Sequence, residues 1–129
     1  MRTKVTITAL VITMLIAGVL FARVPAGAVG PAMVVPVKGM VTLVDVGAAS
    51  CIPCKMMAPI LEKLEKKYDG KAAVIFIDVR HYPDQARKLG VQGIPTQIFY
   101  DAKGKEVQRH IGYMSEAAIV AQFQKMGIE

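Results

Sequence analysis

Two cysteines and two histidines are all that this 129-residue chain has of either type. Two cysteines cannot build the multi-bridge framework that staples small secreted domains. The histidines, His81 and His110, lie far apart and far from the cysteines, so no ligand set for zinc can be assembled from sequence neighbours. There is no basic stripe either. Lys63, Lys66, Lys67 and Lys71 alternate with Glu62, Glu65 and Asp69, which is the pattern of a solvated helix face and speaks against a nucleic-acid partner. Internal repeats and low-complexity tracts are also absent.

Charge is missing altogether from Val5 to Ala22, between the basic Arg2 and Lys4 and the closing Arg23. A positive start, an apolar run and the small residues Ala26-Gly27-Ala28 make residues 1–28 a secretory signal peptide or, uncleaved, a membrane anchor. The run reaches the lower end of the roughly 17–25 residues that span a bilayer. No cysteine follows it before position 51, which speaks against a lipid anchor on cysteine. Either reading places residues 29–129 outside the cytoplasm, in the periplasm of a cell that has one. Loss of Arg2, Lys4 and Arg23 with the signal takes the formal charge from +6 to +3.

What is present is a pair, Cys51-Ile52-Pro53-Cys54, at the start of a helical pattern. Two thiols one helical turn apart can close a disulfide with little backbone movement. So short a loop adds almost no stability by the chain-entropy argument, which leaves reactivity as the reason for the pair. Free N–H groups at a helix start favour the thiolate of the first cysteine. Cys51 is therefore the candidate nucleophile and Cys54, inside the first turn, the candidate resolving thiol. A Cu(I) site on the two thiolates is the competing chemistry. Met56 and Met57 adjoin it, but both fall within the apolar face of the helix and read as core. No other metal site and no cofactor is expected.

The pattern predicts β, α, β, α, β, β, α. Val41–Val46 is apolar on both faces and reads as a central strand. A helix runs from Pro53 to Tyr68, interrupted by Pro59 and stopped by Asp69-Gly70. A strand over Ala72–Asp78, a short helix over Asp84–Leu89 and a strand over Thr96–Tyr100 follow. The turn Asp101–Gly104 leads into a return strand, Lys105–Ile111. Ser115 caps a last helix reaching Met126. A short edge strand is expected around Met33–Val37. Strands joined through helices are expected to be parallel and the hairpin antiparallel, giving an α/β fold with a mixed central sheet and helices on both faces.

Ser50-Cys51-Ile52-Pro53-Cys54-Lys55-Met56-Met57-Ala58-Pro59-Ile60-Leu61 resembles the active-site segment of thioredoxins, and Val74–Asp78, Gly93-Ile94-Pro95-Thr96, Asp101–Gly104 and Ile111-Gly112 extend the likeness. It runs from about residue 38 to 127. The resemblance implies a thioredoxin-like three-layer sandwich and a thiol–disulfide oxidoreductase. It implies a cis peptide before Pro95, and a groove of Ile52, Pro53, Ile94, Pro95 and Gly112 in which an extended substrate segment pairs by β-strand addition. It also assigns Asp45 as a buried acid that relays protons for Cys54.

Three departures stand out: Ser50 replaces a usual Trp, Val74 a lysine that usually pairs with the buried acid, and Ile52 a glycine between the cysteines. These departures, with the N-terminal segment, suggest a dedicated exported relative that reduces disulfides of exported proteins. Such a protein draws electrons from a membrane thiol-reducing partner and works as a monomer. A disulfide oxidase or isomerase is the alternative direction.

Overall fold

The computed structural model describes residues 34–129. The segment 1–28, expected to be a signal or anchor, lies outside them. Among the described residues no helix is long and apolar enough to cross a membrane.

Four strands, β1 (Val41–Gly47), β2 (Ala72–Asp78), β3 (Thr96–Tyr100) and β4 (Glu106–Ile111), form one sheet in the order β2-β1-β3-β4. Three helices connect or follow them: α1 (Ile52–Lys67), α2 (Pro83–Lys88) and α3 (Glu116–Lys125). The order of elements is the one read from the sequence. β1 and β2 are parallel, with α1 as their crossover. β3 runs antiparallel to β1, although a helix precedes it, and β4 is antiparallel to β3. The expectation of parallel strands therefore holds for β1 and β2 and fails for β3. The chain from β2 passes through α2, which is only six residues long, and then enters the far side of β1 from the opposite direction.

The edge strand expected around Met33–Val37 does not form among the described residues. Pro36, in a cis peptide with Val35, has no N–H to give a ladder. The Val37 N–H goes to the Thr42 hydroxyl (3.1 Å) and that of Gly39 to the Ala102 carbonyl (3.2 Å), so this stretch is tied down as a turn.

Alternation along β1 divides the core in two. Val41 and Leu43 face Met57, Leu61 and Leu64 of α1 and Ile119 and Phe123 of α3. Tyr68 and Phe99 meet Phe123 edge-on, at centroid distances of 4.8 and 5.9 Å. On the other face Val44, Val46, Ile77, Ile98 and Tyr100 pack with Ala86 of α2. Each fully buried Leu, Ile or Phe in these layers contributes roughly 1.5–3 kcal/mol. Helices do cover both faces. The predicted cap of the last helix is in place: the Ser115 hydroxyl accepts from the Ala118 N–H at 3.3 Å.

Candidate active site

The C-terminal end of β1 sets the position of the cysteines. After Gly47 the chain turns out of the sheet, and the Cys51 N–H closes that turn on the Ala48 carbonyl at 3.0 Å. Asp78, at the end of β2, clamps the turn from the side. Its carboxylate accepts from the Ala49 N–H at 3.3 Å and from the Arg80 N–H at 2.8 Å. The Arg80 bond above all holds the Asp78 carboxyl below the usual carboxylate range; burial opposes it, and the Ala49 bond and the nearby charges of His81 and Arg80 add to the lowering. Its role was not legible in the sequence, where Asp78 stood only as the last residue of a strand.

Cys51 is the N-cap of α1. Its backbone is extended and its sulfur accepts the Cys54 N–H at 3.3 Å. A sulfur in that place meets one of the helix's unpaired donors, which favours negative charge on it. Pro53 occupies the first turn, where a missing N–H leaves nothing unpaired. Cys51 is half-buried and Cys54 is 4% exposed; the two are joined as a disulfide with their Cα atoms 5.2 Å apart. Ile52 between them is 74% exposed.

Cys54 lies over Gly47. It also lines a cleft of about 350 Å³ together with Lys55, Ala58, Val74 and Phe76, with Glu62 and Glu65 at the rim. Met57 is fully buried in the core, and its sulfur accepts the Met114 N–H at 3.3 Å. That bond ties the first turns of α1 to the loop after β4. Met56 is 54% exposed, which corrects its expected place on the apolar face: it sits one position too early to turn inward with Met57.

Pro95 is buried, follows a cis peptide, and immediately precedes β3. Thr96 pairs with Val46 at the end of β1 from which the cysteine turn departs, so both loops leave the same end of the sheet. The Gly112 N–H donates to the Pro95 carbonyl at 2.8 Å, bringing these two expected groove residues together. Gly112 has φ of 103°, a conformation that favours glycine. Ile94 is exposed, as are Ile111 and Tyr113 on either side of Gly112.

Asp45 is fully buried on β1, facing the α1 side two residues before Gly47. Burial pushes its carboxyl up to about 6, and a hydrogen bond from Gln97 offsets part of that rise. Gln97 Nε2 donates to Asp45 Oδ1 at 2.7 Å, and Gln97 is itself fully buried. Gln97 was missed at the sequence level. The one signal was a polar amide inside the apolar strand Thr96–Tyr100.

His81 is exposed beside Asp78, and His110 bonds the Tyr113 carbonyl at 3.1 Å. Neither meets a cysteine. Among the described residues no cluster of three His, Cys, Asp or Glu side chains could hold a metal ion.

The arrangement can exchange a disulfide for two thiols: an accessible sulfur at a helix start, a buried partner one turn on and a buried acid on the strand beneath. The sequence model of the thioredoxin family matches residues 34–125. Thioredoxins of Staphylococcus saprophyticus subsp. saprophyticus, Staphylococcus haemolyticus and Staphylococcus aureus are each 38% identical over 89 residues, covering 69% of this chain and 85% of theirs. The chain thus belongs to the thioredoxin family, and its Cys51–Cys54 pair makes it a protein thiol–disulfide oxidoreductase.

Proposed function

We propose that this chain is an extracytoplasmic reductase of disulfides in exported proteins. The observation that carries the redox chemistry is the pairing of a half-exposed Cys51, capping α1, with a buried Cys54 in one disulfide. In the reduced enzyme the Cys51 thiolate attacks a substrate disulfide, forming a mixed disulfide and releasing one substrate thiolate. Cys54 then loses its proton to Asp45 and attacks the Cys51 sulfur. The second substrate sulfur leaves with the bonding electron pair, and the Cys51–Cys54 disulfide closes.

Ile94, Pro95 and Gly112, together with Ile52 and Pro53, offer the substrate segment an apolar, sequence-tolerant seat, bound through main-chain hydrogen bonds. Electrons and protons pass through the side chains alone, so no cofactor is needed. The reductive direction draws support from the surroundings of Cys51. Oxidising members stabilise the first thiolate with additional donors or cations, whereas Ile52 and Pro53 add neither.

The uncharged run Val5–Ala22 supports export, cleaved or anchored. An exported reductant must be recharged, which requires a membrane partner that passes thiol electrons outward. The enzyme acts on proteins as a monomer and has no part in nucleic-acid binding.

The test is the equilibrium of the Cys51–Cys54 pair against glutathione. A potential near the reducing end, roughly −270 mV, supports the reductase, and one near roughly −120 mV replaces it with an oxidase. N-terminal sequencing of the protein recovered from cells tests the export reading separately. A chain that retains Met1 and is found in the cytoplasm would refute it.

A further inference from the structure

Asp45 and Gln97 are cross-strand partners in the antiparallel β1–β3 register, and neither has any exposed surface. Gln97 Nε2 donates to Asp45 Oδ1 at 2.7 Å. The other oxygen of each side chain, Asp45 Oδ2 and Gln97 Oε1, is buried without a hydrogen-bond partner among the described residues. An ionised carboxylate only accepts, so the charged pair holds two buried acceptors and lacks one donor. Each such orphan costs about 1–3 kcal/mol. A single proton on Oδ2 supplies the missing donor, and Gln97 Oε1 is the acceptor left over for it.

We propose that Gln97 is the positioning residue of the proton relay: its bond to Oδ1 fixes the Asp45 carboxyl so that Oδ2 exchanges the proton with Cys54, and its own Oε1 receives that proton's hydrogen bond in the neutral state. The inference rests on the reading of Asp45 as the proton carrier. During resolution of a mixed disulfide the Cys54 S–H bond breaks and the proton passes to Oδ2. The sulfur's electron pair forms the bond to Cys51, and the bond from Cys51 to the substrate sulfur breaks, with its pair leaving on the substrate thiolate. The proton returns to solvent before the next cycle.

The cleft that Cys54 lines with Val74 and Phe76 also carries Lys55, Glu62 and Glu65, and none of the three contributes to the acidity of Asp45. β2 places Phe76 beside Asp45 and Val74 next on the same face. β3 offers Gln97. The residues of α1 buried against the sheet are Cys54, Met57, Leu61 and Leu64, of which only Cys54 titrates, and only when reduced. The buried residues of α3 are Ile119, Gln122 and Phe123, and the loop before it contributes Met114, none of which titrates. Burial and Gln97 alone set the acidity of Asp45. Where the family usually has a cation there is Val74, and Gln97 reaches the carboxyl from the opposite strand as a neutral donor.

The sign of the effect follows from hydrogen-bond strengths. Gln97→Leu removes a donor from the carboxylate and an acceptor from the acid. Bonds to a charged group are roughly twice as strong as neutral ones, so the carboxylate loses more. In the full chain, with a thionitrobenzoate mixed disulfide on Cys51, the rate of its release by Cys54 should follow a pH midpoint displaced upward by about one unit in Gln97→Leu.

Asp45→Asn separates the two ideas. If Asp45→Asn keeps the wild-type pH midpoint, the relay reading itself fails. If Asp45→Asn removes that midpoint while Gln97→Leu leaves it in place or lowers it, the role of Gln97 is overturned. For a Gln97→Leu chain that does not fold, the wild-type protein carries the test by NMR. The Gln97 side-chain amide resonances should titrate with the midpoint of Asp45, and resonances that stay constant across that titration overturn the proposal.

Discussion

The Cys54 sulfur rests against the Cα of Gly47: a Cβ at position 47 would lie 3.0 Å from it and 3.1 Å from the Phe76 ring. Gly47 does not have a left-handed backbone, so the absence of a side chain answers to space alone. The strand ends in a glycine because the resolving thiol occupies the place where a methyl would stand. Gly47→Ala should therefore destabilise the oxidised protein by about 1–3 kcal/mol through overpacking. It should also slow the closure of the disulfide, since Cys54 must move to admit the methyl. Denaturant unfolding of the oxidised form and the rate of intramolecular oxidation check the two effects. Gly93→Ala is the contrast, because its Cβ would meet only the movable Ile111 methyl at 3.3 Å.

Asp45 makes stability fall as pH rises. The folded state holds this proton to about pH 6, whereas the unfolded chain releases it near 3.8. Between those values the folded state binds more protons, and the slope of unfolding free energy with pH is negative. The contribution is fully present below pH 3.8 and lost above pH 6, a difference on the order of 3 kcal/mol. Asp45→Asn, which never ionises, should be more stable than wild type above pH 6 by up to about that amount, with the gap closing toward pH 4. Urea unfolding across this range measures it, and equal stability of the two proteins at pH 8 would refute the assignment.

Asp78 acts in the opposite sense and on a different part of the site. Its carboxylate holds the Ala49 and Arg80 N–H groups, and its acidity is increased by those bonds. The stability that it supplies is present at neutral pH and is lost as the medium acidifies through its lowered folded value. Asp78→Ala gives both exposed N–H groups over to water and should cost about 0.5–1.5 kcal/mol, while Asp78→Asn, which keeps one acceptor oxygen, should cost less. Because the released segment is the turn that delivers Cys51, limited proteolysis near Ala49-Ser50 should speed up in Asp78→Ala before global unfolding does.

Sequence made visible what is local. The spacing of Cys51 and Cys54, the proline in the first turn, the cap at Ser115 and the turn at Asp101–Gly104 each depend on residues a few positions apart, and each was found where expected. Pairing across strands was not visible. That Gln97 stands opposite Asp45 depends on the β1–β3 register, and the bond between them spans 52 positions. The Asp78 clamp on Ala49 spans 29. The direction of β3 was misjudged for a related reason: a connecting helix shows that a chain crosses over, and says nothing of which edge of β1 it returns to. The expected strand at Met33–Val37 failed because Val35 and Val37 gave the right residue types while Pro36 withheld the ladder donor.

The two cysteines should fail differently when replaced by serine. Cys51→Ser removes the only half-exposed thiol and leaves Cys54, which is buried against Gly47. A serine hydroxyl is not ionised at neutral pH, so turnover of a disulfide substrate such as insulin should fall to background. Cys54→Ser keeps the nucleophile and the cap but cannot resolve, so a mixed disulfide should accumulate at Cys51 and be seen as a mass increase that a small thiol reverses. The Cys51 sulfur accepts the Cys54 N–H, a bond that position 54 supplies from its backbone whatever its side chain. The thiolate of Cys51 should therefore remain stabilised in Cys54→Ser, and its alkylation by iodoacetamide at pH 7 should stay faster than that of a free cysteine. Alkylation at the rate of an ordinary thiol would mean that the helix start does not activate Cys51, and the division of labour between the two sulfurs would have to be redrawn.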